Sequence, residues 1–268
     1  MRVAIQGQAG SFHEQAAYQW YGSACEIVPC ASFADMFTVY ESGEADAIVC
    51  AVENTLYGSI NEVYQLIEDC SAPIIGEVKL HINQQLIATS GASLQTITQV
   101  YSHPVALAQC RQYLAATLPH AELIEFFDTA GAVEYIQTLR DTHVAAIAGT
   151  QAASLHAMPV LARNIQDSEH NYTRFFVLDA ISTPVKPNRS ALVITTAHKP
   201  GALAEVLQVF ASHDINLEKL QSQPIANKPW EYKFYIVVDA AGDQLVRAVK
   251  RIENNEHEAV LLGEFKGV

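Results

Sequence analysis

The chain has 268 residues, which at about 150 residues per domain suggests two domains, each long enough to bury a core. Half of the residues are hydrophobic and 17% are charged; this excludes a disordered or collagen-like chain, and no run approaches the roughly 20 apolar residues that a membrane-spanning helix needs. The net charge of −13, from 16 basic and 29 acidic residues, repels phosphates, so neither nucleic acid nor an anionic membrane is expected as a partner.

In chain order, the sequence opens directly into the strand-like Arg2-Val3-Ala4-Ile5. No basic stretch, apolar segment and small-residue cleavage site precede it, so the expected location is the cytoplasm. Apolar runs at Val3 to Ile5, Ala47 to Val52, Leu86 to Ala88, Val144 to Ala148 and Phe175 to Leu178 alternate with helix-period segments, which predicts an α/β domain with buried, largely parallel strands. Ser182-Thr183-Pro184-Val185-Lys186-Pro187-Asn188 reads as a linker. The charge balance changes there too: residues 1–188 hold 7 Lys or Arg against 19 Asp or Glu, residues 189–268 hold 9 against 10. The expected domains are therefore 1–181 and 189–268. The second reads strand (191–196), helix (201–212), strand (216–223), strand (232–239), helix (244–253), strand (259–264), a βαββαβ ferredoxin-like unit. Such a unit exposes a sheet face and an edge unless it pairs with a second copy, so a homodimer, or a homotetramer built from one, is expected.

Several helix starts in the first domain carry caps. Ser11 with Glu14, and Ser59 with Glu62, fit the capping-box spacing; Thr129 and Ser102-His103-Pro104 open two more. Where such starts converge at the ends of strands, free N–H groups and helix dipoles form an anion pocket with little formal positive charge. The histidines show no metal-ligand spacing, and Gly7 to Gly10 form neither a dinucleotide fingerprint nor a phosphate loop with lysine, so no metal and no cofactor is expected. The five cysteines, odd in number and without a Cys-x-x-Cys pair, read as reduced thiols. In Asn171-Tyr172-Thr173-Arg174-Phe175 a hydroxyl and a scarce cation sit side by side at the mouth of an apolar strand. Arg174 fits a carboxylate clamp there, with a surface arginine as the competing reading.

Taken together, Gly7-Gln8-Ala9-Gly10-Ser11-Phe12, Glu53-Asn54-Thr55 with Gly58-Ser59, Ser102-His103-Pro104 with Gln109-Cys110, and Thr173-Arg174-Phe175 resemble the prephenate dehydratase family in their order along the chain. Lys199-Pro200-Gly201-Ala202-Leu203, Asn216-Leu217, Gln221-Ser222-Gln223-Pro224 and Pro229-Trp230-Glu231-Tyr232 resemble that family's ACT regulatory domain. The resemblance implies a catalytic domain of two lobes similar to periplasmic binding proteins, with crossovers near residues 80 and 165 and the site in the cleft, followed by the ACT domain. It also implies the monofunctional form, without a fused chorismate mutase domain.

The implied reaction is the decarboxylating dehydration of prephenate to phenylpyruvate in phenylalanine biosynthesis, driven by aromatisation and needing no metal or cofactor. By resemblance Thr173, Arg174, Phe175 and Glu53 are the catalytic candidates, Thr173 as hydrogen-bond donor to the leaving hydroxyl and Glu53 as either proton donor or structural carboxylate. Ser11, Asn54, Thr55, Ser59, Ser102, Gln109 and Thr129 are the candidates for substrate contacts. Gly201, Ala202, Leu203, Asn216, Leu217, Gln221, Ser222, Gln223 and Pro224 form the expected effector region, with phenylalanine as the candidate effector, although the family's Glu-Ser-Arg-Pro has lost both charges here. The alternatives are an arogenate dehydratase, in which the substrate amine seeks a carboxylate, and a non-catalytic amino-acid sensor.

Overall fold

A computed structural model describes residues 1–181 and 186–267. The first lobe contains β1 (Arg2–Gln6), α1 (Phe12–Tyr21), β2 (Glu26–Cys30), α2 (Phe33–Glu41), β3 (Ala47–Asn54), β4 (Gly58–Ser59), α3 (Asn61–Asp69) and β5 (Ile74–His81). The chain then crosses into a second lobe of β6 (Gln85–Ala88), β7 (Gln99–Ser102), α4 (Pro104–Gln109), α5 (Arg111–Thr117), β8 (Glu122–Glu125), α6 (Thr129–Leu139), β9 (Val144–Ala148), α7 (Thr150–Leu155) and β10 (Val160–Ala162). It returns to the first sheet as β11 (Tyr172–Asp179). The sheet orders are β2-β1-β3-β11-β5, with β4 on β3, and β10-β6-β9-β7-β8.

The strands are less parallel than the apolar runs suggest. β1 pairs parallel to β2 and β3, and β7 to β8 and β9. The strands at the crossovers run the other way: β11 is antiparallel to both β3 and β5, and β6 to β9 and β10. A strand that enters a sheet from the neighbouring lobe, and not through a crossover helix, arrives reversed, and neighbouring strands reached that way pair antiparallel. β2 and β8, which carry no apolar run, are edge strands whose residues are mostly exposed or half-buried.

The second domain comprises β12 (Arg189–Thr195), α8 (Ala202–Ser212), β13 (Leu217–Pro224), β14 (Tyr232–Val238), α9 (Asp243–Glu253) and β15 (Glu258–Phe265), in sheet order β13-β14-β12-β15. It is the βαββαβ unit expected. Of the expected linker, Ser182 to Val185 lie outside the described residues.

The free sheet face expected of this unit is not free. Leu192, Ile194, Ile236 and Val238 pack under α8 and α9. Their neighbours Ala191, Val193, Tyr235, Val237 and Phe265 join Ile48, Cys50, Tyr64, Phe176 and Leu178 of the first lobe in one continuous core. Gly263 permits this approach: a Cβ there would lie 2.1 Å from the Ile74 carbonyl oxygen. Charges ring the contact. Arg189 pairs with Glu77 and Glu218, Lys233 with Glu68, and Tyr235 Oη donates to Glu68.

Candidate active site

The two lobes enclose a cleft of about 500 Å³. On its floor β3 and β11 stand side by side, with Asn54 opposite Thr173. The Asn54 amide donates to Thr173 Oγ1 at 3.0 Å, to Asn171 Oδ1 at 2.8 Å and to the Tyr172 carbonyl at 3.2 Å, while its own oxygen accepts from the Leu56 and Tyr57 N–H groups. A hydroxyl has one hydrogen and two lone pairs. Because Thr173 Oγ1 accepts from Asn54, its hydrogen is free for a group in the cleft; Thr173 is 9% exposed. Phe175, two residues along the same face, supplies an apolar wall.

Helix starts converge on this cavity. Those of α1 (Ser11, Phe12, His13), α2 (Ser32, Phe33), α3 (Ile60, Glu62) and α6 (Asp128, Thr129) all line it, and the short α4 adds His103 and Val105. None of the lining residues is Lys or Arg, so the groups here that can attract an anion are helix dipoles and amide N–H groups. Burial lowers the pKa of His13 to about 3, and its Nε2 accepts from the Ala51 N–H at 3.2 Å; it is a neutral acceptor packed edge-on to Phe175. Burial also lowers the pKa of His103, against the opposing pull of Asp128 and Glu125. Asp128 caps α6 by accepting from the Ala130 and Gly131 N–H groups and reaches across the cleft to accept from the Gln8 N–H. Gly10 lets the lobes touch there: its φ is +84°, and a Cβ would lie 2.9 Å from Ala152 Cα.

The structure brings Thr173, Phe175, Asn54, Ser11, Gln109 and Thr129 to the cleft. Ser11 caps α1 by accepting from the Glu14 N–H, and Gln109 accepts from Gln84 Nε2 at 3.1 Å. Thr129 is the first helical residue of α6; the cap is Asp128. Five expected residues lie elsewhere. Arg174 is not a clamp in the cleft: strand alternation turns it to the opposite face of the sheet, its Nε 3.7 Å from the buried Glu77. Glu53 faces that side too, held by Lys219 of the second domain at 2.6 Å, which removes it as a proton donor to the cleft. Ser59 belongs to β4 and does not cap α3, whose start has no side-chain cap. Thr55 locks the β11 entry, donating to the His170 carbonyl and accepting from the Tyr172 N–H. Ser102 is fully buried and donates to the Ile147 carbonyl. Sequence reasoning missed Asn171, His13, Gln84, His103 and Asp128; only the helix-start positions of His13 and His103 signalled them.

In the second domain, Gly201, Ala202 and Leu203 line a pocket of about 240 Å³ with Trp230 and Phe234. Asn216, Leu217, Gln221, Ser222, Gln223 and Pro224 are not part of that pocket. The Asn216 carbonyl accepts from the Asp239 N–H and the Asn216 N–H donates to the Asp239 carboxylate, Leu217 packs toward the α8–α9 core, and Gln221 points at the first domain, its Oε1 accepting from Ser59 Oγ.

These features define a two-lobed, periplasmic-binding-protein-like α/β domain locked onto a ferredoxin-like ACT domain. Residues 3–183 match the family model for prephenate dehydratase and residues 190–257 that for the ACT domain. The bifunctional chorismate mutase/prephenate dehydratase of Aquifex aeolicus is 34% identical over 99% of this chain and 73% of its own. Arogenate dehydratase 2 of Petunia hybrida is 40% identical over 84% of this chain and 57% of its own. The solved prephenate dehydratase of Arthrobacter aurescens in complex with L-Phe superposes with a TM-score of 0.89 at 26% identity, covering 99% of this chain and 90% of that one. A structure described as GqqA, a novel type of quorum quenching acylase, gives the same TM-score and identity over 100% and 98%. The chain belongs to the prephenate dehydratase family and is a lyase of that type.

Proposed function

We propose that the Asn54–Thr173 pair is where the reaction occurs: the decarboxylating dehydration of prephenate to phenylpyruvate. The ring-to-carboxylate bond breaks to give carbon dioxide, its electron pair moves into the ring, and the carbon–oxygen bond at the far side of the ring breaks. The departing hydroxide leaves as water once protonated. Little covalent work falls to the protein, which has to hold two carboxylates, keep the ring apolar and stabilise the departing oxygen. The helix starts suit the carboxylates, Phe175 and Phe12 the ring, and Thr173 Oγ1 the oxygen. An unperturbed alcohol is too weak an acid to deliver a free proton at neutral pH, so Thr173 acts as hydrogen-bond donor and water carries the proton.

The observation that carries this reading is Thr173 Oγ1, held as an acceptor by Asn54 so that its hydrogen has no acceptor among the described residues, at a cleft lined by no Lys or Arg. Prephenate is favoured over arogenate because the buried carboxylate of the cleft, Asp128, is already engaged by three backbone N–H groups, leaving only the exposed Glu62 for an amine. Thr173→Val should fold normally and lower kcat about 10² to 10³-fold, the cost of losing one aimed donor. Assaying phenylpyruvate from prephenate against phenylalanine from arogenate checks both parts, and an unchanged kcat rules the donor role out. Regulation by phenylalanine belongs to the same proposal: the Gly201 pocket, completed by a second copy of the ACT domain, suits an amino acid held by backbone groups. Among the described residues no helix is long and apolar enough to cross a membrane.

A further inference from the structure

Behind the cleft, on the other face of the same sheet, both domains contribute to a second cluster. Lys219 on β13 has a side chain only 8% exposed. Its Nζ lies 2.6 Å from Glu53 Oε2 and 2.8 Å from Ser59 Oγ, and 5.6 Å from the centre of the Tyr64 ring. Ser59 Oγ donates in turn to Oε1 of Gln221, the next inward-facing residue of β13, at 2.8 Å. Glu53 and Ser59 are register partners across β3 and β4. The ACT domain therefore grips both strands of this hairpin at one point.

That point adjoins the proposed site. The pairing of β3 with β11 is Asn54 to Thr173, Glu53 to Arg174, then Ala51 to Phe175, so Val52 is an extra residue in β3. The bulge turns Val52 and Glu53 to the back of the sheet, while Ala51 and Asn54 face the cleft. Bulges re-aim side chains in this way beside active sites. One peptide unit thus separates the carboxylate held by Lys219 from the amide that aims Thr173.

We infer that Lys219 is a positioning residue for catalysis: its ion pair with Glu53 and its bond to Ser59 fix the bulged end of β3, and so hold Asn54 and Thr173 in register with the substrate. This rests on the reading of Thr173 as the donor. A misplacement of about 1 Å costs about a hundredfold in rate, so loss of the grip should appear in kcat more than in binding. Lys219→Met keeps the apolar stem over Tyr64 and removes the charge. The expected result is a kcat about tenfold or more lower with KM for prephenate within about threefold, in protein whose circular dichroism is unchanged. Lys219→Arg should recover most of the loss. Glu53→Gln, which keeps the side chain's shape, should lower kcat similarly, and the double variant should be no slower than either single one. If Lys219→Met folds poorly, Glu53→Gln with Lys219→Arg gives the same reading. A kcat within about twofold of the parent in folded Lys219→Met or Glu53→Gln overturns the inference, and so does a loss that tracks only the unfolded fraction or is additive in the double variant. If Thr173→Val itself leaves kcat unchanged, the site reading fails; if Thr173→Val is impaired and the Lys219 and Glu53 variants are not, only the positioning role falls.

Discussion

Single side chains in the cleft divide by the direction their strand gives them. Thr173 stood out in the sequence as a hydroxyl at the mouth of an apolar strand, whereas Asn54 was legible only through the motif shared with the family. Their neighbours Arg174 and Glu53 were misplaced for the same strand geometry: consecutive residues face opposite sides, and the groups that bind them, Glu77 and Lys219, lie far away in the chain. His13 left no signal beyond following a cap. Its behaviour is testable. The neutral form is favoured in the folded state, with the pKa lowered to about 3, whereas an unfolded histidine takes up a proton near pH 6.5. Between those values the unfolded chain binds more protons, so stability falls as pH drops from about 6.5 toward 3. In His13→Gln, which retains an acceptor for the Ala51 N–H, urea titrations across this range should show a shallower decline.

At the scale of strands and helices, patterning succeeded where burial was complete, as in β3 and β9, and failed at the edges β2 and β8, where few side chains reach a core. Of the helix starts at the cleft, that of α1 was readable from its cap and that of α6 to within one residue; that of α2, capped by Ser32, gave no signal that was read, and the serine expected to cap α3 is taken by the other domain. Inside β5, Glu77 is completely buried, and three cations surround it: Arg174, Arg189 and Lys79. A charge in that position ties β5, β11 and β12 together. Removing it leaves buried guanidinium groups uncompensated, which typically costs about 3 to 5 kcal/mol. Glu77→Ala should therefore lower the unfolding free energy by about that amount, measured by denaturant midpoint at unchanged slope.

At the scale of the molecule, the order of units in the chain announced the architecture, but not that the ACT sheet lies on the catalytic domain. A ferredoxin-like unit has the same strand pattern whether its open face meets a second copy or its own chain. With that face occupied, one surface open to self-association is the edge strand β13, where Leu220 is exposed, together with the exposed Trp230 and Tyr232. An uncovered edge bearing apolar side chains is a template for strand pairing. Light scattering should give about twice the chain mass of 29.3 kDa. Leu220→Lys should yield the single-chain mass and abolish phenylalanine binding in calorimetry while prephenate turnover persists.

Gly263 sets a limit on how these proteins are recombined. Its contact with Ile74 admits no side chain, and both domains contribute to the apolar layer beneath it, the first domain most of it. Cutting the chain between domains bares oily surface on both fragments, and grafting a foreign sensor module onto this catalytic unit succeeds only if the residues of β5, α3 and β11 that receive it are exchanged as well.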